Sequence, residues 1–286
     1  MMRIHKLQIA DSSYCLQSYK KYLEELKKIA RDGKDPKCTK CDEDGFLKVP
    51  DDLSFSGRRY SLPTMCDCVS DEKTKISEKI ERIDNLIKTY NLVFGTLDNE
   101  MTLDIFAKRF NQTELINSIK KYLNVGSTMS LYFRGKSGTG KTTMLKMLWQ
   151  IYVINNIKVM YMKASHFEDL HKNLFNQNAK DKDMKATIDK KIDNAKNADI
   201  IMIDDIDSVG FHYAIDGYYK IFDNIRSGEK TVILTSNKSY DDLLKSLNKK
   251  TDSEYMKGRL TSRLLNLKII EIEMQKFEIK SDKLAS

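Results

Sequence analysis

Apolar residues recur along this chain with two different periods, and the change of period divides it. Leu16, Tyr19, Leu23, Leu26 and Ile29 fall three or four residues apart, the stripe of an amphipathic helix over residues 16–30. Ile76, Ile80, Ile83, Ile87 and Tyr90 repeat that spacing over 72–92, and Gly95 is placed to end the second helix. Between the two, residues 36–68 show no period. They contain Pro36, Pro50, Pro63, Gly45 and Gly57 and read as a loop-rich unit.

From about residue 100 the pattern alternates. Gln112–Leu123 reads as helix, Ser130–Arg134 as strand, Thr142–Ile154 as helix and Lys158–Met162 as strand. Residues 165–197 are polar and helical. Asp199–Ile203 and Thr231–Thr235 are short, almost wholly apolar runs, as strands buried on both faces are. Ser239–Leu247 and the segment around Gly258–Leu265 read as helices, and Lys268–Met274 as a last strand. Strands and helices in turn predict an α/β fold around a mostly parallel sheet. The expected division is a small N-terminal domain over 1–92, an α/β body over 93–276, and a tail over 277–286.

Composition narrows the picture slightly. The 286 residues are 41% hydrophobic and 31% charged, a globular balance that excludes wholesale disorder. Apolar runs such as Ile200–Ile203 are too short to span a bilayer, and the N-terminus lacks the apolar core of a signal peptide. A cytoplasmic protein with no membrane partner is expected. The net charge is +8, of which residues 1–92 carry +2 and the rest +6. That spread describes a solvated, lysine-rich surface. It permits a nucleic-acid partner without specifying one.

One segment carries specific chemistry. Gly135-Lys136-Ser137-Gly138-Thr139-Gly140-Lys141-Thr142 fits G-x-x-x-x-G-K-[ST], follows a predicted strand and opens a predicted helix. Glycines at these positions let backbone N–H groups turn inward around phosphate oxygens, and the helix N-terminus adds partial positive charge. Lys141 is placed to reach the β- and γ-phosphates of ATP. Thr142 is placed to ligate Mg²⁺, with Thr143 beside it in the cradle.

A magnesium nucleotide also needs a carboxylate at the end of a neighbouring strand. Asp199-Ile-Ile-Met-Ile-Asp204-Asp205 supplies two: Asp204 for Mg²⁺ and Asp205 to polarise the attacking water. Many ATPases of this design have Glu at the second position; Asp is one methylene shorter, so slow hydrolysis is expected. Thr231-Val-Ile-Leu-Thr-Ser-Asn237 is a second buried strand. Inserted between the phosphate-loop strand and the acidic strand, it places Asn237 beside the γ-phosphate; the alternative use of Asn237 is to cap the following helix. Arg259 and Arg263 lie four apart, on one helical face.

The cysteines point to a different chemistry. Cys38-x-x-Cys41 is followed after 24 residues by Cys66-x-Cys68, and four thiolates from two turns can close a tetrahedron around Zn²⁺. Free thiols and a redox pair are the alternatives, and His5 could replace one ligand. Cys15 and Trp149 read as core residues, His166 and His171 as surface residues. The Lys172–Lys191 run is a solvated helix in a position where contact with single-stranded DNA is conceivable.

Together GKSGTGKT, IIMIDD, VILTSN and GRLTSRL resemble AAA+ ATPases of the bacterial helicase-loader group, the DnaC/DnaI type, over roughly residues 90–275. The resemblance implies an AAA+ P-loop NTPase domain that assembles side by side, with Arg263 as a finger reaching the neighbour's γ-phosphate and Arg259 in reserve. About a dozen residues follow the last strand, too few for a helical lid. The CxxCxDxG and CxC arrangement also resembles loaders of low-GC bacteria and their phages, in which a zinc-binding helical N-terminal domain grips the helicase. Arg58 and Arg59 leave DNA as that unit's other partner.

The resemblance thus implies an ATP-dependent loader of a hexameric replicative helicase onto single-stranded DNA. The rivals are an IstB-like transposition helper, a non-hydrolysing ATP-bound adaptor, and a small-molecule kinase. Asn237 and the arginine pair speak against the last.

Overall fold

In the computed structural model the described residues are 14–30, 32–33, 38–39, 70–95, 101–125, 129–176, 182–209, 211–223, 225, 230–247 and 254–275. The chain divides into two units: residues 16–99 form one, and the remainder the other.

The smaller unit is a helical pair. α1 (Leu16–Ile29) and α2 (Glu72–Phe94) follow the two apolar stripes, which bury Leu23 and Ile83. Lys20 places its ammonium 2.6 Å from the Asp84 carboxylate. α2 stops at Gly95, whose φ of +81° a side chain would strain. Two short strands, β1 (Asp32–Gly33) and β2 (Ser70–Asp71), pair antiparallel between the helices. Cys38 is half-buried. Cys41, Cys66, Cys68, His5, Arg58, Arg59 and the tail 277–286 lie outside the described residues.

The larger unit is the alternating one. It runs α3 (Leu103–Phe110), α4 (Thr113–Val125), β3 (Ser130–Arg134), α5 (Lys141–Ile154), β4 (Val159–Lys163), α6 (Ala164–Asn176), α7 (Lys182–Asn197) and β5 (Ile200–Asp204). A 3-10 turn at Ile206–Ser208 leads to α8 (Ile215–Asp223), β6 (Thr231–Ser236), α9 (Tyr240–Leu247), α10 (Glu254–Leu265) and β7 (Ile269–Glu273). The five strands β3 to β7 form one parallel sheet in the order β4-β5-β6-β3-β7. β5 and β6 are buried along their whole length, as their unbroken apolar runs require; β4 and β7, at the edges, are buried only in part. β6 lies between β3 and β5, the insertion expected from the sequence.

Two helices add to the elements read from the sequence, α3 and α8, of eight and nine residues. α3 has both a cap and a short stripe: the Thr102 hydroxyl accepts the Ile105 N–H, and Leu103, Phe106 and Ala107 are buried on one face. α8 contains Gly217, which lies so close to α6 that a Cβ there would sit 2.7 Å from His171 Nε2 and 2.8 Å from the Phe167 ring.

That approach corrects the reading of His171. His166 is exposed as expected, but His171 packs edge-on against Phe167 with ring centroids 4.8 Å apart. Its Nε2 is sealed from solvent with no hydrogen-bond partner. Cys15 and Trp149 are buried. No helix among the described residues is long and apolar enough to cross a membrane.

Burial holds the His171 pKa below its ordinary 6.5, against the pull of Glu168 and Asp216. Above pH 6.5 the ring is neutral in both folded and unfolded chains and stability is unaffected. As pH falls below 6.5 the unfolded chain takes up the proton first, so stability drops until the folded ring also protonates. Denaturant melts on either side of pH 6.5 should show this loss, and His171→Asn should flatten it; an unchanged slope in the variant would place the titration elsewhere.

Candidate nucleotide-binding site

The phosphate loop begins where β3 ends. Arg134 closes the strand by pairing with Glu271 at 3.0 Å and Glu273 at 2.6 Å on β7. Gly135 follows, with the carbonyl of Met274 so near that a Cβ would lie 2.4 Å from its oxygen. Gly140 begins α5 at a φ of +89°, and a Cβ there would meet the Phe106 ring at 2.9 Å. Both positions exclude a side chain, which is the physical reason for glycine at the two ends of the loop. The Thr139 hydroxyl bonds the Lys136 carbonyl at 3.0 Å and ties the turn.

Ser137, Gly138, Gly140, Lys141, Thr142 and Thr143 form one wall of a cavity of about 390 Å³. Phe110, Asp205, Ser208 and Asn237 form the other. Lys141 is only 6% exposed. Its ammonium donates to the Gly135 carbonyl at 2.6 Å, to the Lys136 carbonyl at 3.1 Å and to Asn237 Oδ1 at 3.0 Å. All three acceptors are neutral, so a phosphate oxyanion is a stronger partner than any of them. Asn237 therefore turns its side chain to Lys141 rather than to the next helix. α9 is capped by Ser239, whose hydroxyl accepts the Asp242 N–H at 3.2 Å.

Asp204 ends β5 with 2% exposure. Three hydroxyls surround its carboxylate: Thr142 at 3.0 and 3.2 Å, Tyr161 at 3.2 Å and Thr235 at 2.6 Å. A buried carboxylate requires such donors, and here they all come from different elements. Asp205, next in the chain, has left-handed backbone at φ 53° and ψ 50°. Aspartate tolerates that region better than a longer acid, because its short side chain can bond locally. Burial, and then the charge of Asp204, raise the Asp205 pKa above the usual carboxylate value; Lys163 and Lys141 oppose the shift. Thr142 and Asp204 together offer a hydroxyl and a carboxylate oxygen at contact distance, the all-oxygen donor set that Mg²⁺ prefers.

Residues 131–259 match the family model for the ATPase family associated with various cellular activities, AAA. Over this stretch the chain is similar to AAA-type ATPases. Its sequence is 26% identical over 130 residues to the chromosomal replication initiator protein DnaA of Campylobacter jejuni, covering 45% of this chain. The chain spans about a third or less of the curated relatives it matches, 27% and 32% of their lengths. Similar solved structures include DnaI, at 20% identity and a TM-score of 0.42, covering 64% of this chain and 87% of that one. They include also the DnaC helicase loader, at 16% identity and a TM-score of 0.39, covering 58% and 89%.

The fold does not bring every predicted residue to the cavity. Arg259 and Arg263 do not line it. Arg263 Nε pairs with Asp223 at 2.7 Å, and the Arg259 guanidinium lies over the Tyr219 ring, 4.1 Å from its centre. Both are held by α8, a helix the sequence did not reveal. Among the described residues no group of three or more His, Cys, Asp or Glu could hold a metal ion. Of the cysteine quartet only Cys38 falls within them.

Three contributors carry no motif signature. Tyr161 and Thr235 hold Asp204, and Asp207 accepts the Asn237 N–H at 3.0 Å, fixing the strand end that presents the amide. The one available signal was polarity: Thr235 is a hydroxyl directly after the apolar run Val232–Leu234.

Among the described residues lining the cavity Lys141 is the only cation. Lys141→Ala should reduce binding of a fluorescent ATP analogue by at least tenfold, since charge-assisted bonds to phosphate contribute about 1.5–3 kcal/mol each. Ordinary affinity and turnover in the variant would show that nucleotide does not use this cradle.

Proposed function

We propose that this chain is an ATP-dependent loader that places a hexameric replicative DNA helicase on single-stranded DNA at the initiation of replication. The observation that carries the ATP part is the convergence of Lys141 and Thr142 from α5, Asp205 from the end of β5 and Asn237 from the end of β6 on one cavity, with Asp204 bonded to Thr142. The loader part is supported by the DnaC/DnaI-type motifs of the sequence, and by kinship with a chromosomal replication initiator.

In this reading Gly135–Thr143 wrap the phosphates and Lys141 exchanges its carbonyl partners for β- and γ-phosphate oxygens. Thr142 and Asp204 hold Mg²⁺, which when bound neutralises charge on the phosphates. Asn237 orients a water at the γ-phosphate and Asp205 accepts its proton. The short Asp205 side chain supports slow hydrolysis. Neighbouring subunits associate through their AAA domains, and Arg263 leaves Asp223 to reach the next subunit's γ-phosphate. The N-terminal domain over 1–92, with Cys38, Cys41, Cys66 and Cys68 around Zn²⁺, grips the helicase.

Co-purification tests the partner. The chain should hold one zinc per molecule and retain a hexameric replicative helicase on a column. Cys38→Ser should lose both while still binding ATP. Retention of the helicase by a zinc-free variant would separate the cysteines from the grip.

Mixing tests the finger. A Lys141→Ala subunit still offers Arg263, and an Arg263→Ala subunit still binds ATP. Each alone should be inactive in assemblies on single-stranded DNA, and a mixture should regain part of the activity. Where chemistry is limiting such fingers contribute about 10³–10⁵ in rate. A mixture that assembles yet stays inactive would exclude action in trans; complementation by Arg259→Ala instead would move the role one turn along α10.

A further inference from the structure

Thr235 is fully buried on β6, following Val232, Ile233 and Leu234. A hydroxyl there needs partners, and it has two. Its Oγ1 lies 2.6 Å from Asp204 Oδ1 and accepts the Asp205 N–H at 2.8 Å. A hydroxyl carries one proton. With a lone pair taken by the Asp205 N–H, that proton is directed to the carboxylate, and the order of the chain is fixed: Asp205 N–H to Thr235 O–H to Asp204.

The location explains the need. The β5–β6 register ends at Ile203 opposite Leu234, so the backbone ladder stops just before the two acids. Beyond it β5 turns into the left-handed conformation of Asp205. The Thr235 side chain continues the cross-strand link where the backbone cannot. Tyr161 reaches only Oδ2 of Asp204, and Thr142 reaches both oxygens at 3.0 and 3.2 Å. Thr235 thus makes the shortest bond to the carboxylate, and it is the residue that touches both acids.

We propose that Thr235 is a positioning residue that sets the Asp204 carboxylate and the Asp205 backbone as one unit, so that metal affinity and the aim of the water-activating acid depend together on one hydroxyl. The proposal rests on the reading that this cavity holds a magnesium nucleotide. With the hydroxyl gone, Asp204 Oδ1 keeps only the longer Thr142 bond, and the left-handed turn loses its anchor.

The test uses the full chain, a non-hydrolysable ATP analogue and titrated Mg²⁺. Thr235→Val keeps the shape of the side chain without its hydroxyl; Thr235→Ser keeps the hydroxyl. Outer partners of metal ligands typically matter by about 10–100-fold. Thr235→Val should raise by that factor the Mg²⁺ concentration that half-saturates analogue binding, read by calorimetry, and leave binding in EDTA unchanged. It should lower kcat at saturating Mg²⁺ with little change in KM for ATP. Thr235→Ser should restore both. If Thr235→Val does not fold, Thr235→Ala against Thr235→Ser makes the same comparison.

Wild-type Mg²⁺ dependence and kcat in a folded Thr235→Val, or a Thr235→Ser as impaired as the valine, would overturn the proposal. Asp204→Asn separates it from the reading beneath it. If Asp204→Asn weakens Mg²⁺ dependence and Thr235→Val does not, the positioning role alone fails. If neither variant changes it, the metal site has been misplaced.

Discussion

Lys141 and Asn237 are 96 residues apart in sequence and 3.0 Å apart in space, and the site depends on that contact. It exists because β6 lies between β3 and β5. The loop that leaves β3 and the two acids that end β5 are thereby placed on either side of the end of β6. Thr235 on that strand and Asn237 just beyond its end then face the two neighbours differently: Asn237 meets the lysine, Thr235 the carboxylate. A sheet with β3 and β5 adjacent would have the same motifs and no such junction.

The charges at this junction are buried, which sets their cost and their use. Lys141 is 6% exposed and Asp204 2%, and each is surrounded by neutral hydrogen-bond partners rather than by an opposite charge. Such partners keep a buried ion tolerable without neutralising it. An incoming ligand that offers phosphate to the lysine and a cation to the carboxylate therefore finds both charges still unspent. The left-handed backbone of Asp205 and its raised pKa are further costs at the same junction.

Much of this was legible before any coordinates. Gly135 and Gly140 of the phosphate loop are required by clashes that a side chain would make with Met274 and Phe106. The apolar runs of β5 and β6 announce buried strands, and the residues that end them announce the acids and the amide. What was not legible carried no motif. α3 and α8 have brief stripes, Leu103, Phe106 and Ala107 in one and Tyr218, Ile221 and Phe222 in the other, but no motif marks them, and α8 carries the Tyr219 and Asp223 that hold the arginines. Tyr161, Thr235 and Asp207 act through hydrogen bonds between elements that the sheet order brings together. His171 looked like a surface residue on a polar helix until Gly217 let α8 approach it.

The central claim is that Lys141 and Asp204 form one prebuilt site whose occupant is a magnesium nucleotide. A crystal structure with a non-hydrolysable ATP analogue and Mg²⁺ tests it most directly. The account predicts the Lys141 ammonium withdrawn from the Gly135 and Lys136 carbonyls and bonded to β- and γ-phosphate oxygens. It also predicts the metal on Thr142 with Asp204 beside it, and Asn237 facing the γ-phosphate. A nucleotide bound elsewhere, or phosphates in the cradle with Lys141 still on its carbonyls, would contradict it.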